Sequence, residues 1–214
     1  MIGLFDSGMG GFNTAGEIKR LLPRESLLLL ADCERAPYGT RAEEDLISIT
    51  EENIRRLSAA GAERVLIACC TASSLYERLS PEARMISIPV ITPTARAARV
   101  ASVTGRISVI ATEGTVRSRA FSRALVGCEV TELAAGELVG LCEDGEDCPR
   151  LSRLLDGLTD EAAESSADTL ILGCTHFHSV ERQIKELAAR KGIKNVISSA
   201  REGARELCRI LKTS

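Results

Sequence analysis

The chain has 214 residues, of which 44% are hydrophobic and 27% are charged, and its formal net charge is −3. This balance is typical of an ordinary globular protein, and the absence of clustered Lys and Arg excludes a nucleic-acid surface. The longest apolar stretches, such as residues 65–70, are far shorter than the roughly 20 residues that span a bilayer. The N-terminus reaches Asp6 without an apolar signal core, so we expect a cytoplasmic protein that binds neither nucleic acid nor membranes.

The eight cysteines are expected to be free thiols rather than a disulfide framework. A chain of this length can bury a core without cross-links, and no pair of cysteines has the CxxC spacing of a zinc ribbon. Most of these residues should therefore be small buried hydrophobic groups, with a few reactive ones among them.

Short apolar runs alternate with helical patterns along the whole chain. The runs are residues 2–5, 26–30, 64–68, 88–91, 107–110, 129–133, 169–172 and 195–197. Continuous apolar strands separated by helices are typical of a parallel sheet that is covered on both faces. The sequence therefore predicts the α/β class.

The two halves of the chain align with each other at an offset of 105 residues. Residues 2–7 match 107–112, residues 61–69 match 166–174, and residues 90–91 match 196–197 at an offset of 106. This repeat makes Cys69 and Cys174 equivalent, each at the carboxyl end of a buried strand, which is the edge where α/β sheets bind ligands. Two such units facing each other would place one thiol on each side of a shared cleft. That arrangement suits a reaction in which a proton leaves one face of a carbon and returns to the other.

Two local features support chemistry at this edge. A helix that begins just after Cys69 would lower the pKa of its thiol, although a buried cysteine pair at a strand end is the plainer interpretation. Both histidines of the chain, His176 and His178, lie close to Cys174. The glycine-rich residues 6–11 match neither a P-loop nor a dinucleotide loop, and they favour a small anion such as a carboxylate.

Taken together, these segments resemble those of the glutamate racemases, a branch of the aspartate/glutamate racemase superfamily. The matching segments are residues 5–11 (FDSGMGG), 37–41 (PYGTR), 67–73 (IACCTAS), 111–118 (ATEGTVRS) and 172–177 (LGCTHF). The resemblance implies two pseudo-symmetric, doubly wound parallel-sheet domains with the active site in the cleft between them. We expect residues 1–91 plus 191–214 to form the first domain and residues 92–190 the second.

The resemblance also implies residue roles. Cys69 and Cys174 would be the two catalytic thiols, assisted by Asp6 and His176 respectively, and Glu143 matches an acidic family position near the second thiol. The substrate-binding residues would be Ser7, Pro37, Tyr38, Gly39, Cys70, Thr71, Thr112 and Thr175, acting through hydroxyl and backbone donors. No cofactor and no metal are implied. The expected enzyme is a homodimer that converts L-glutamate to D-glutamate for peptidoglycan.

The sequence departs from the family pattern at three positions. Cys70 replaces a substrate-binding Asn, and because a thiol is a weak hydrogen-bonding partner, glutamate affinity should fall by about tenfold or more. His178 replaces a Pro and is expected at the surface, with an altered proton relay at the second thiol as the alternative. Ser198 replaces an Asp at the end of the last strand.

Three other functions stay open at this point. Cys70 favours a two-thiol racemase that acts on another amino acid. A non-catalytic binding protein is a second possibility, against which the joint presence of both thiols, Asp6 and His176 argues. The third is a zinc site, for which the ligand types are present in Cys69, Cys70, Cys174, His176 and His178.

Overall fold

The computed structural model describes residues 1–145 and 148–213, which contain eight strands. The strands are β1 (Ile2–Asp6), β2 (Leu27–Ala31), β3 (Arg64–Ile67), β4 (Ser87–Pro89), β5 (Arg106–Ala111), β6 (Glu129–Ala134), β7 (Thr169–Gly173) and β8 (Asn195–Ser198). Seven of the eight predicted runs contain one of these strands or overlap it closely, whereas the run 88–91 shares only residues 88–89 with β4. The α/β class is therefore confirmed.

The strands form two separate four-stranded sheets in which every pair is parallel. The order is β2-β1-β3-β4 in the first sheet and β6-β5-β7-β8 in the second. The second half of the chain thus repeats the topology of the first half. The predicted match of residues 90–91 with 196–197 is wrong, because Val90 and Ile91 begin a helix whereas Val196 and Ile197 lie in β8.

Eleven helices in the described residues cover the sheets. They are α1 (Gly11–Leu21), α2 (Glu43–Ala59), α3 (Cys70–Ser73), α4 (Pro81–Ile86), α5 (Ile91–Ala101), α6 (Glu113–Ser118), α7 (Ala120–Ala124), α8 (Glu137–Asp144), α9 (Pro149–Glu164), α10 (Glu181–Arg190) and α11 (Ser199–Thr213). None of the helices described is long and apolar enough to cross a membrane.

Helix α9 illustrates how the sequence fixes these elements. It begins at Pro149, which suits the first turn of a helix because its missing N–H would have no partner there. Its buried residues Leu151, Leu155, Leu158 and Ala162 recur at helical spacing and face the core beneath the second sheet. One apolar stripe therefore accounts for both the helix and its docking.

The last helix of each half covers the sheet of the other half. Ala95 and Ala98 of α5, which follows β4, lie in the core on the second sheet. Ala204 and Leu207 of α11, which follows β8, lie in the core on the first sheet, where α11 also runs against α1. The two halves are thus joined by a reciprocal exchange of helices.

This exchange bears on the predicted domains. Helix α11 packs on the first sheet, but β8 pairs with β7 over the register Thr169↔Asn195 to Leu172↔Ser198. The predicted placement of this strand in the first domain is therefore wrong, because β8 takes the same edge of its own sheet that β4 takes in the first. The bounds 1–91 plus 191–214 and 92–190 otherwise stay a prediction, and Ser214 lies outside the described residues.

Candidate active site

A cleft of about 610 Å³ lies at the carboxyl ends of the two sheets. Loops that follow strands of both sheets line it, as expected for parallel α/β sheets. All predicted site residues except Asp6 lie on its wall, namely Ser7, Pro37, Tyr38, Gly39, Cys69, Cys70, Thr71, Thr112, Glu143, Cys174, Thr175 and His176. Positions far apart in the sequence are thereby brought around one space.

The first thiol, Cys69, immediately precedes α3 and lies two residues beyond the end of β3. It donates to Ser7 Oγ over 3.3 Å. Burial raises the pKa of this thiol to about 11, and the nearby Asp6 adds to the rise, while Ser7 and the backbone N–H groups of Ala72 and Thr71 lower it. These donors at the start of α3 do lower the pKa, but desolvation outweighs them, so the predicted net lowering is wrong.

Asp6 lies at the end of β1 and is fully buried. Its Oδ1 accepts from the Gly8 N–H over 3.1 Å, and Oδ2 makes no hydrogen bond of ordinary geometry within the described residues. Burial raises the pKa of this carboxyl to about 6, against the lowering effects of His176 and the Gly8 amide. A carboxyl that titrates near neutrality is suited to proton transfer.

The second thiol, Cys174, follows β7 and precedes the short 3-10 turn Thr175–His178. Its Sγ is 3.6 Å from His176 Nδ1. Burial raises the pKa of Cys174 well above its ordinary value, and the neighbouring thiol of Cys70 adds to the rise. Both thiols are therefore protonated at neutral pH.

His176 connects Cys174 to a carboxylate. Its Nε2 lies 2.9 Å from Glu143 Oε1 and also receives the Gly10 N–H at 3.1 Å. An ionised carboxylate requires a hydrogen on Nε2, whereas the Gly10 amide requires a lone pair there. When Glu143 is ionised and in contact, the hydrogen is on Nε2, and the lone pair of Nδ1 faces the Cys174 thiol.

Hydroxyl groups join the two halves at the base of the cleft. Thr71 Oγ1, at the start of α3, lies 2.9 Å from Thr112 Oγ1, which precedes α6. The hydroxyl of Tyr38, which was predicted to bind substrate, donates instead to the carboxylate of Asp32 and also contacts Asn53. Tyr38 therefore lines the cleft, while its hydroxyl is hydrogen-bonded to Asp32 and Asn53.

Comparison with known proteins agrees with this geometry. The family model described as Asp/Glu/Hydantoin racemase matches residues 17–207. The chain belongs to this family. Its expected class, an isomerase of the amino-acid racemase type, is thereby confirmed.

Two curated relatives and one solved structure illustrate the similarity. The chain is 38% identical over 182 residues to the glutamate racemase of Desulforudis audaxviator, covering 82% of the chain and 67% of the relative. It is 36% identical to that of Deinococcus radiodurans, covering 82% and 63%. The structure of a glutamate racemase isoform from Bacillus anthracis superposes with a TM-score of 0.89 at 36% identity, covering 100% of the chain and 82% of that structure. The chain therefore spans about two thirds of the length of the two curated relatives.

Sequence reasoning missed part of the racemase cleft. One face of α8 lines it through Val139, Gly140 and Glu143, together with Gly136 just before the helix, and Glu113 lies opposite and accepts from the Gly136 N–H over 3.2 Å. The spacing of these α8 positions is that of a single helical face. With Glu143 predicted in the site, this helical spacing was the sequence feature that could have indicated Gly136, Val139 and Gly140 as well.

The remaining departures from the family pattern have different environments. Cys70 lines the cleft and packs into the core on the second sheet. The side chain of His178 is only 16% exposed and contacts Glu17 and Glu181, so its predicted surface position is wrong.

Within residues 1–145 and 148–213, no group of three or more His, Cys, Asp or Glu side chains converges as a metal site would require. The zinc alternative therefore lacks a geometric basis in the described part of the chain.

Proposed function

We propose that this racemase interconverts L- and D-glutamate by a two-thiol mechanism without a cofactor. The observation that carries the proposal is the placement of Cys69 and Cys174 on one cleft, each within two residues of the carboxyl end of an equivalent strand, β3 or β7. One thiol comes from each half of the chain. The names of the curated relatives support glutamate as the substrate.

In the proposed reaction, one sulfur acts as base and the other as acid. The thiolate takes the α-proton, the electron pair stays on the α-carbon, and the opposite thiol delivers its proton to the other face. The two sulfurs thereby exchange roles, and the reverse direction uses the same groups. Because burial keeps both thiols protonated, one must first lose its proton when substrate enters.

Each thiol has a neighbour that suits this activation step. His176 Nδ1 is 3.6 Å from the sulfur of Cys174, and Glu143 stabilises the imidazolium that forms when this nitrogen takes the proton. Asp6, whose pKa burial raises to about 6, plays the corresponding part beside Cys69. In this proposal both groups act through the sulfurs and not directly on the substrate.

Neutral donors hold the substrate in this scheme. The residues that line the cleft include no Lys or Arg among those described. Hydroxyl groups of Ser7, Thr71, Thr112 and Thr175, with backbone N–H groups of the surrounding turns, would bind the two carboxylates. Such fixed donors also stabilise negative charge that develops next to the α-carbon.

The test is α-proton exchange in heavy water, followed by NMR on separate L- and D-glutamate samples. We expect exchange with inversion in the wild type and loss of racemisation in Cys69→Ser and Cys174→Ser. Cys208→Ser in α11 is the matched control, because that thiol lies outside the cleft and its loss should leave the rate unchanged. Racemisation that survives in either cleft variant would contradict the two-thiol mechanism.

A second candidate is favoured by Cys70, whose thiol replaces a potential amide partner in the cleft. In this alternative the same two sulfurs racemise another amino acid. A panel of amino acids in the exchange assay separates the two candidates, since exchange in another amino acid with inert glutamate would select the alternative. No exchange with any member of the panel, together with measurable binding, would indicate the non-catalytic protein.

The biological part of the proposal is supply of D-glutamate for peptidoglycan by a cytoplasmic homodimer. It is tested by rescue of a bacterial strain that requires D-glutamate, and by the mass of the purified protein in sedimentation. Failure of the wild type to rescue the strain, or a monomer at working concentration, would contradict the corresponding part.

A further inference from the structure

A buried polar cluster lies behind the wall of the cleft, where the chain leaves β2. Asp32 directly follows β2, and its N–H donates to the carbonyl of Asp6 over 2.9 Å. Its Oδ2 accepts three hydrogen bonds, from the Tyr38 hydroxyl at 2.5 Å, from Arg35 Nε at 2.7 Å and from Asn53 Nδ2 at 2.9 Å. One carboxylate oxygen thus connects the loop after β2 to α2, which carries Asn53.

The donors that reach Asp32 are themselves held by α2. Arg35 Nη2 donates to Asn53 Oδ1 over 2.8 Å, and Nη1 pairs with Glu52 Oε2 at 2.7 Å. The side chain of Asn53, which is fully buried, also donates to the Tyr38 hydroxyl over 3.3 Å. Each side chain of the cluster therefore fixes its neighbour.

Asp32 is the acceptor at the centre of this cluster, and it is ionised at neutral pH. Burial opposes the charge, but hydrogen bonds from Arg35, Tyr38 and Asn53 outweigh burial and hold the pKa of Asp32 below its ordinary value. A hydrogen bond from a hydroxyl to a carboxylate is short and about twice as strong as one between neutral groups. The Tyr38 hydroxyl is therefore firmly anchored.

This anchor places the rest of Tyr38 beside the first thiol. The centroid of the Tyr38 ring lies 6.1 Å from that of Phe5, and Tyr38 shares a core cluster with Cys69. Burial raises the pKa of Tyr38, and Asp32 and Cys69 add to the rise because both are close to the phenol. The 3-10 turn Tyr38–Thr40 packs against α3, the helix that follows Cys69. The ring and the turn therefore form the wall of the cleft next to this thiol.

The same turn touches the other half of the chain. A Cβ on Gly114 of α6 would lie 2.9 Å from both the Cα and the carbonyl oxygen of Gly39, so the two backbones are in direct contact. Arg117 of α6 also donates to the Gly39 carbonyl over 3.3 Å. The turn is thus held between the Asp32 cluster and α6, and its displacement would change the width of the cleft beside Cys69.

We propose that Asp32 is a positioning residue for the first thiol. Through the Tyr38 hydroxyl it fixes the turn Tyr38–Thr40 against α3 and α6, and so keeps Cys69 aligned with the α-carbon of the substrate. This inference rests on the proposed function, because its kinetic consequence requires proton transfer by Cys69. Asp32 itself lies behind the wall of the cleft and acts through Tyr38.

The anchoring of the Tyr38 hydroxyl is tested first, by a measurement that does not depend on catalysis. The chain contains only two tyrosines, Tyr38 and Tyr76, so NMR of protein labelled with carbon-13 at the tyrosine ζ-carbon observes each of them. In an equal mixture of water and heavy water, a hydroxyl that exchanges slowly gives two ζ-carbon signals, one for each hydrogen isotope. We expect such a pair for Tyr38, assigned with Tyr76→Phe. A single averaged Tyr38 signal would overturn the proposal, whatever the substrate proves to be.

The positioning role is tested with Tyr38→Phe, which removes only the hydroxyl, and with L- and D-glutamate that carry deuterium at the α-carbon. We expect kcat to fall by about tenfold, as a small displacement of a catalytic group does. The two thiols act in separate steps, so slowing the Cys69 step makes that step limit the rate in both directions. The isotope effect on kcat/KM should therefore rise for the enantiomer whose proton Cys69 removes and fall for the other. Equal or absent changes for the two enantiomers would overturn the proposal.

Asp32→Asn tests whether the carboxylate acts through Tyr38. Alone it should reproduce the opposite changes in isotope effect, and in the Tyr38→Phe background it should lower kcat further by about twofold at most. A further loss of about tenfold would mean that Asp32 acts by another route and that the proposal is wrong. Gly114→Ala displaces the same turn from α6 and leaves the cluster intact, so it keeps the test available if the cluster variants fail to fold. It should give the same opposite changes, and equal changes there would also contradict the proposal.

Tyr76→Phe is the matched control, because it removes the only other tyrosine hydroxyl of the chain. That hydroxyl donates to the carbonyls of Arg84 and Ser87 over 3.0 and 3.3 Å, and Tyr76 lies outside the cleft. The control should change neither kcat nor the isotope effects, and the same isotope pattern in it would contradict the proposal. If the wild type does not racemise glutamate, the proposed function fails, while the NMR result still decides whether the Tyr38 hydroxyl is anchored.

Discussion

Gly10 lies immediately before α1 and contacts the turn that carries His176, so it offers a direct test of whether this contact positions the imidazole. A Cβ at this position would lie 2.2 Å from Thr175 Oγ1 and 2.7 Å from His176 Nδ1. The backbone of Gly10 is right-handed helical, with φ −55° and ψ −27°, so alanine introduces no backbone strain. The effect of Gly10→Ala is therefore steric and confined to the turn beside Cys174.

The size of the effect follows from these distances. Ordinary contact would require the turn to retreat by about 1 Å, and a displacement of that size at a catalytic group can lower the rate about a hundredfold. The sulfur of Cys174 is already 3.6 Å from His176 Nδ1, so the retreat weakens the relay directly. We expect kcat/KM for glutamate to fall by about a hundredfold in Gly10→Ala, measured by circular dichroism of the racemising solution.

Gly16→Ala on the same helix is the control. Gly16 has no atom within 4 Å of an added Cβ, so this change should keep full activity and stabilise the helix by up to about 1 kcal/mol. Thermal unfolding of both variants shows whether the fold survives. A folded Gly10→Ala enzyme with kcat/KM within about threefold of the wild type would refute the reasoning.

Three further predictions concern individual groups of the site. Glu143→Gln should lower kcat about a hundredfold because it removes the anion that faces His176. The Glu143 side chain is 45% exposed, so the melting temperature should not change. A loss of stability without a loss of rate would contradict this role. Asp6 has a pKa raised from 3.8 to about 6, so its ionisation destabilises the fold, with a penalty absent below about pH 4 and complete above about pH 7. Asp6→Asn should therefore raise the free energy of unfolding progressively across that window, by up to about 3 kcal/mol. The same change should abolish racemisation. Calorimetry at several pH values would contradict the prediction if the gain in stability were the same at every pH. Cys70→Asn should lower the KM for glutamate by about tenfold in steady-state kinetics, because the amide supplies a hydrogen-bonding partner that the thiol does not. An unchanged KM would show that the substrate does not contact position 70.

The strands were predictable because their signal is local. Parallel strands buried on both faces are continuous apolar runs, and helices such as α9 have a single apolar stripe. The sheet to which β8 belongs was not predictable in this way, because its pattern fits either sheet and only the hydrogen bonds to β7 decide. The observed strand orders make β8 the counterpart of β4.

The site was predictable to a different degree. The residues that follow the strands were found from the repeat and the resemblance, because strand ends converge in any parallel sheet. Protonation could not be predicted from spacing, since the pKa of Cys69 depends on burial that overrides the short helix α3. The environment of His178 depends on side chains from four different elements. Its hydrogen-bonding partner Ser198 is itself one of the departures from the family pattern.

The exchange of α5 and α11 between the halves has a consequence for the ancestry and engineering of the chain. A duplicated gene whose products each kept their own last helix would give two independent modules, and either could be expressed alone. Here a fragment that stops before α5 lacks the helix that covers Ile2, Leu4 and Leu66 of its own sheet. Each repeat by itself thus lacks the helix that covers one face of its sheet. A half-sized ancestor with this topology would have needed a second copy to supply its missing helix, so a symmetric dimer is the natural precursor of the fused chain.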